Sequence, residues 1–352
     1  MALPELSPPP HRWRKALALF LIAVLFLGSV FFVLANLEAL ERFLRSVPDN
    51  AWAFSATQAD QLRTLGLTGA GVIVCIVDTG VDLGHPDLRD VRLAAWKDFV
   101  ADEPQPYDDH GHGTFMAGLM VGHGLVRGFA PQVSLVVAKA VDALGSGQAV
   151  AIVQAILFCM DPFGNGTQAH IISLSLGGGS VSQPDPVSVR VDDAIRQGIL
   201  VVAAVGNDGE DAPDVQTPAS QDLVIAVGSV NARLQISAFS QGGGNAGRLD
   251  PNRKPEVVAP GEGLTTTGLG GSYASISGTS AASAVVSAIL ALVLEGAPSL
   301  RGLVSDVGVS AIKVALMGTA LPLAGQAEPH DRLYGYGIIQ GADLLEAVRL
   351  GG

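Results

Sequence analysis

The chain has 352 residues, of which 48% are hydrophobic and 15% are charged, and its formal net charge is −12 at pH 7. A chain this apolar can offset the entropy lost on folding, which excludes extensive disorder. The negative charge argues against nucleic acid as a partner, and two cysteines are too few for a disulfide-built scaffold. The composition therefore predicts a globular protein with a large buried core.

An uncharged apolar segment follows a basic N-terminal tail. The predicted tail is residues 1–15, and residues 16–37 carry no charge. At about 1.5 Å per residue, a helix over 16–37 would cross a hydrocarbon core of about 30 Å. Basic residues before it and acidic residues after it place the tail in the cytoplasm. We expect a single-pass protein held in the lipid bilayer by 16–37, with the rest outside the cytoplasm. A signal peptide cleaved after Ala35, followed by secretion, is the alternative.

The rest of the chain divides into a linker and a main domain. Residues 38–65 are polar and contain Pro48, which is typical of a stalk or linker, and residues 66–352 form the main domain. A second apolar run, from Ala281 to Leu294, is too short to span a membrane and predicts a buried helix.

Short apolar runs alternate with stretches of helical length in the main domain. The runs predict buried strands at Val72–Val77, Leu135–Val141, Ile171–Leu176, Ile199–Val205 and Leu223–Val230. The predicted helices between them include Gly113–Val121, Gln148–Met160 and Val187–Gln197. This alternation predicts an α/β fold, a doubly wound, mostly parallel sheet with helices on both faces. Ligands of such sheets bind beyond the carboxyl ends of the strands.

Four polar residues stand at predicted strand ends or helix starts. Asp78 ends the first run, His112 opens a helix between glycines, Asn207 follows a strand, and Ser280 precedes the buried helix. Each alone is explained as well by a capping or turn role. Together they supply a hydroxyl nucleophile, an imidazole base, a carboxylate that orients the imidazole, and an amide donor for an oxyanion.

The motifs around these residues resemble those of the subtilisin-like serine peptidases. The matching segments are Val77–Asp82, Gly111–Thr114, Ser173–Gly178, Ala204–Asn207 and Gly278–Ser280. The chain order Asp, His, Ser is also that of subtilisin. The resemblance covers about residues 66–348, and it identifies 66–352 as a peptidase domain. It implies that Asp78, His112 and Ser280 form a catalytic triad and that Asn207 serves the oxyanion hole.

The resemblance also implies a polypeptide substrate bound in an extended conformation. The expected substrate-binding residues are Ser175, Leu176, Gly177, Ala204, Gly206 and Ala219. P1 is the substrate residue whose carbonyl is attacked. The segments expected to surround its side chain carry no charge apart from nearby Asp208, so we expect P1 side chains to be apolar or medium-sized. The predicted function is that of a membrane-anchored serine endopeptidase acting through an acyl-enzyme intermediate. A catalytically inactive, peptide-binding scaffold of the same fold is the alternative.

No cofactor and no metal is expected. Asp87 matches a calcium ligand of the family, but the loop at 122–128 is short and offers no Asn or Asp. Cys75 and Cys159 are interpreted as core-packing residues and not as redox or metal groups.

The chain departs from the family pattern in two further respects. Phe115 stands where a second histidine is usual, and we expect it to pack within the helix. Residues 38–65 are too few for the family's folding pro-domain, so we expect none.

Overall fold

The computed structural model describes residues 11–37, 49–178, 185–302 and 305–351. The chain forms two compact units, Met1–Pro48 and Asp49–Gly352. Residues 1–10 of the predicted tail and 38–48 of the predicted linker lie outside the described residues.

The described part of the first unit is a long helix, α1 (His11–Ala35). Its apolar stretch Lys15–Ala35 is entirely unburied. The length and composition suit either a membrane anchor or a signal sequence.

The second unit is built on a seven-stranded parallel sheet in the order β2-β3-β1-β4-β5-β6-β7. Its strands are β1 (Ile73–Asp78), β2 (Leu93–Asp98), β3 (Ser134–Lys139), β4 (Ile171–Leu174), β5 (Leu200–Ala204), β6 (Ile225–Val230) and β7 (Val257–Pro260). All of these strands except β2 are buried almost throughout. Their β-branched residues suit a sheet that is covered on both faces. The predicted α/β fold is confirmed.

Helices surround this sheet, and a small hairpin adjoins it. The helices are α2 (Ala51–Ala56), α3 (Ala59–Thr64), α4 (His112–Val121), α5 (Ala149–Met160), α6 (Pro186–Arg196), α7 (Thr279–Gly296), α8 (Asp306–Thr319) and α9 (Gly341–Leu350). The hairpin pairs β8 (Leu264–Thr267) with β9 (Tyr273–Ile276). Helix α7 packs against β4 to β7 and against α4, and 83% of it is buried. Its apolarity therefore belongs to the core of the domain.

The domain begins earlier than the sequence predicted, because residues 49–65 are part of it. Phe54 stacks on Phe129 with 4.0 Å between ring centroids, and Leu62 is fully buried. The Asn50 side chain donates to the Thr265 carbonyl at 2.8 Å and accepts from the Thr265 amide at 2.9 Å. The compact unit therefore starts at Asp49 and not at the expected residue 66. Residues 49–65 contain two short helices whose Ala53, Phe54, Ala59 and Leu62 are buried in the core.

The two cysteines are buried in the core as expected, but they are also joined in a disulfide, which the sequence did not predict. Cys75 of β1 and Cys159 of α5 form a disulfide although 84 positions separate them. Helix α5 follows β3 and packs back against β1, because β1 and β3 are neighbours in the sheet. Spacing along the chain carries no sign of this contact.

Candidate active site

The carboxyl end of β1 and the start of α4 bring Asp78 and His112 together. Asp78 is 2% exposed, and its Oδ1 lies 2.8 Å from His112 Nδ1. The Thr79 amide donates to the same oxygen at 2.7 Å. Asp78 Oδ2 is buried and has no hydrogen-bond partner among the described residues. A carboxylate in this position selects the imidazole tautomer that carries its proton on Nδ1, which leaves Nε2 as a base.

The charges around His112 raise its pKa. Burial lowers the pKa of the imidazole, but the carboxylates of Asp78 and Asp108 outweigh that effect and raise it above its ordinary value. Asp108 holds the histidine loop in place: its two oxygens accept from the Gly111 amide at 2.8 Å and from the Thr114 amide at 2.9 Å. The same carboxylate therefore organises the helix start and acts on the electrostatics of the base.

A fully buried lysine ties this loop to the sheet. Lys139 Nζ donates to the Thr79 carbonyl at 2.6 Å and to Asp109 Oδ1 at 2.7 Å. It also donates to the Val141 carbonyl at 3.1 Å. Sequence reasoning missed Lys139, although a lysine inside the otherwise apolar run 135–141 is a signal that a buried partner exists.

Ser280 lies in the first turn of α7, beside the strand extension that follows β4. Its hydroxyl donates to the Ser175 carbonyl at 3.1 Å. Asn207 lies next to this turn, and its Oδ1 accepts from the Thr279 amide at 2.9 Å and from the Thr279 hydroxyl at 3.0 Å. A backbone amide can only donate, so these contacts assign Oδ1 to that side. The NH₂ group of Asn207 is the end left to face a ligand.

These residues line one cleft of about 610 Å³. Asp78, His112, Asn207 and Ser280 share it with most of the predicted substrate-binding residues, namely Ser175, Leu176, Gly177, Ala204 and Gly206. Ala219 is fully buried and lies outside this lining, so its place in the substrate-binding site stays a prediction. Gln216, Thr217 and Pro218 line the cleft instead.

Asp87 has two donors and does not face a cluster of acids. It is 4% exposed, and its oxygens accept from the Val126 amide at 2.8 Å and from the Tyr273 hydroxyl at 3.0 Å. Across the ranges that the structure describes, no three His, Cys, Asp or Glu side chains are grouped as metal ligands would be.

A parallel α/β sheet with this cleft at its carboxyl edge is the architecture of subtilisin-like serine peptidases. Residues 69–337 match the model of the subtilase family, and the chain belongs to that family.

Individual relatives agree with the family match. The chain is 37% identical over 258 residues to subtilisin Savinase of Lederbergia lenta. This match covers 72% of this chain and 87% of the relative. It is 32% identical over 305 residues to the thermostable alkaline protease of Halalkalibacterium halodurans, covering 83% and 78%. Against subtilisin amylosacchariticus of Bacillus subtilis subsp. amylosacchariticus it is 35% identical over 263 residues. That match covers 73% of this chain but only 63% of the relative's length.

Proposed function

We propose that the protein is a serine endopeptidase that hydrolyses polypeptides through Asp78, His112 and Ser280. The observation that carries the proposal is the 2.8 Å contact between His112 Nδ1 and Asp78 Oδ1 in the cleft that Ser280 lines. Membership of the subtilase family and relatives named as proteases support it.

Each side chain has a defined part in the proposed reaction. Ser280 Oγ attacks the scissile carbonyl while His112 Nε2 takes the hydroxyl proton, and Asp78 stabilises the resulting imidazolium. The Asn207 amide and the Ser280 backbone amide donate to the oxyanion of the tetrahedral intermediate. His112 then gives its proton to the amine of the scissile bond, and the amine departs. The acyl-enzyme that remains is hydrolysed by water.

The free protein holds the nucleophile in a resting position. Ser280 Oγ donates to the Ser175 carbonyl, so it must turn toward His112 before it can react. An extended substrate that runs beside Ser175 to Gly177 would present its own backbone amide to such carbonyls. Substrate binding would then compete for the acceptor that holds the hydroxyl, and the displaced hydroxyl would be free to bond to His112.

A fluorophosphonate probe tests the proposed nucleophile directly. We expect it to label the full-length protein in detergent at Ser280, as read by peptide mass spectrometry. Ser280→Ala should remove the label, whereas Ser287→Ala, which changes a buried serine of the same helix, should keep it. Absence of labelling in a folded wild-type protein would favour the inactive peptide-binding scaffold.

We further propose that residues 16–37 anchor the protein in a membrane with Asp49 onward outside the cytoplasm. The unburied apolar helix supports the anchor, and the Cys75–Cys159 disulfide supports an oxidising compartment for the domain. Protease added to intact cells should digest the domain, and carbonate washing should leave the protein in the membrane fraction. A mature N-terminus at Asn36, found by mass spectrometry, would instead establish secretion after signal-peptide cleavage.

A further inference from the structure

One side chain occupies the part of the cleft next to the proposed reaction centre. The amide group of Gln216 lies against two glycines: a methyl group at Gly177 would come within 2.3 Å of Gln216 Oε1. A methyl group at Gly206 would come within 1.8 Å of Gln241 Oε1 and within 2.7 Å of Gln216 Cδ. The Gln216 side chain therefore lies beside the backbones of both glycines, and at Gly206 it shares the space with Gln241.

These two glycines border the position of the substrate residue P1, whose carbonyl is attacked. Gly177 belongs to the segment beside which the substrate would extend, and Gly206 immediately precedes Asn207. A substrate with its scissile carbonyl between Ser280 and Asn207 would direct its P1 side chain toward the space between these segments. That space already contains the Gln216 amide.

Gln216 is anchored at both ends. Its backbone amide donates to the Val205 carbonyl at 2.8 Å, and its Nε2 donates to Asp208 Oδ2 at 2.9 Å. The Asp208 backbone amide in turn donates to Gln241 Oε1 at 3.4 Å. Gln216 is half-buried and Asp208 is exposed, and both residues line the cleft.

We propose that Gln216, held by Asp208, restricts P1 to small side chains such as those of glycine, alanine and serine. This inference rests on the proposed endopeptidase function and narrows the expectation of apolar or medium-sized P1 residues. Large P1 side chains are disfavoured because they must displace an anchored side chain and break its hydrogen bond to Asp208.

Peptide substrates that differ only at P1 test the inference. For the full-length protein in detergent, we expect kcat/KM to be at least about tenfold higher with P1 alanine than with P1 phenylalanine. Gln216→Ala should raise the phenylalanine-to-alanine ratio by at least about tenfold, since it empties the space. Gln132→Ala, which changes an exposed glutamine that does not line the cleft, should leave the ratio as it is.

A double-mutant cycle tests the role of Asp208. Asp208→Ala should raise the ratio by a smaller factor than Gln216→Ala, because the released glutamine still occupies volume. Asp208→Ala should have no further effect on the ratio in the Gln216→Ala background. Equal effects of Asp208→Ala in both backgrounds would overturn the anchoring role of Asp208.

The fluorophosphonate label separates two kinds of failure. A folded protein that is not labelled overturns the proposed function and this inference with it. A labelled protein that cleaves after phenylalanine as efficiently as after alanine overturns the inference alone. The wild-type profile decides this point even where a variant fails to fold.

Discussion

Two of the domain's groups of buried ionisable side chains differ in their access to solvent, because one opens to a cleft and the other is fully enclosed. Asp78 and His112 line the cleft beside Ser280. In the second group, Glu256 Oε1 accepts from Lys254 Nζ at 2.9 Å and from Lys313 Nζ at 2.7 Å, and all three side chains are fully buried. Burial of charge is common to both groups, so burial alone does not identify a reactive site.

The two groups differ in their hydrogen bonds: Asp78 Oδ2 has no partner among the described residues, whereas both carboxylate oxygens of Glu256 have one. Glu256 Oε2 accepts from the Ala226 amide at 2.7 Å, and Lys254 Nζ also donates to the Val224 carbonyl at 2.7 Å. Burial lowers the pKa of Lys254 to about 7, and the attraction of Glu256 only partly opposes this. Lys254 thus has a strongly shifted pKa but is closed to a substrate. His112 also has a shifted pKa, and part of its side chain is exposed.

Substitution within the proposed triad should give the largest effect, and this effect should be on catalysis and not on stability. We expect Ser280→Ala, His112→Ala and Asp78→Asn each to lower kcat by roughly 10⁴- to 10⁶-fold, the range known for triad changes in subtilisin itself. Combining two of them should add little, because the three side chains act as one unit. Steady-state kinetics on a peptide substrate checks the loss. Multiplicative losses in a double variant would contradict the assignment.

Substitution in the second group, that of Lys254, Glu256 and Lys313, should lower the stability of the fold instead of the catalytic rate. Glu256→Gln leaves two buried ammonium groups without their counter-ion, and we expect it to lower the free energy of unfolding by about 3–5 kcal/mol. Urea denaturation of the detergent-solubilised protein measures the change. Glu103→Gln, at an exposed position, should change it by less than about 0.5 kcal/mol. An unchanged stability for Glu256→Gln would remove the distinction between the two groups.

Asn207→Ala should lower the rate less than a triad substitution does. We expect kcat to fall by about 10²- to 10³-fold with KM nearly unchanged, the loss known for removal of this type of donor in subtilisin itself. The reason is that, in the proposed reaction, the amide donates to charge that exists only in the transition state. A change confined to KM would show that Asn207 contacts the bound substrate and not the oxyanion.

The smallest expected effect is a shift in the pH profile. His112 acts as a base only when neutral, and its pKa is raised, so kcat/KM should fall on acidification with a midpoint above 6.5. Asp108→Asn removes one of the two charges that raise this pKa and should move the midpoint to lower pH. Asp211→Asn, an exposed change, should not. A wild-type midpoint at or below 6.5 would contradict the assigned balance of charges.

Sequence patterns predicted the central strands because these strands are continuous apolar runs. Strand β2 was missed because it is an edge strand of mixed composition, partly exposed along its length. Strand β7 offers only three apolar residues, Val257 to Ala259, between Glu256 and Pro260, so its apolar run is shorter than the others. Local composition thus reveals strands that lie within long apolar runs, and it misses the edge strand β2 and the short run of β7.

The site shows the same division between local and distant information. Asp78, His112, Asn207 and Ser280 each lie in a short motif, so the chain alone identified them. The roles of Lys139 and Gln216 depend on contacts with Thr79 and Gly177, which lie far away in sequence and which only the folded chain brings close. The Cys75–Cys159 pair escaped prediction for the same reason.

The disulfide bears on the order in which an exported chain matures. If the domain crosses a membrane from its N-terminus, Cys75 and Cys159 both emerge well before Ser280. The bond can then close around β1, β3 and α5 while the nucleophile is still on the other side. The strand that carries Asp78 would be covalently tied to its neighbours before a complete triad exists. Under the proposed export, the disulfide would therefore fix the strand of Asp78 outside the cytoplasm before Ser280 arrives there.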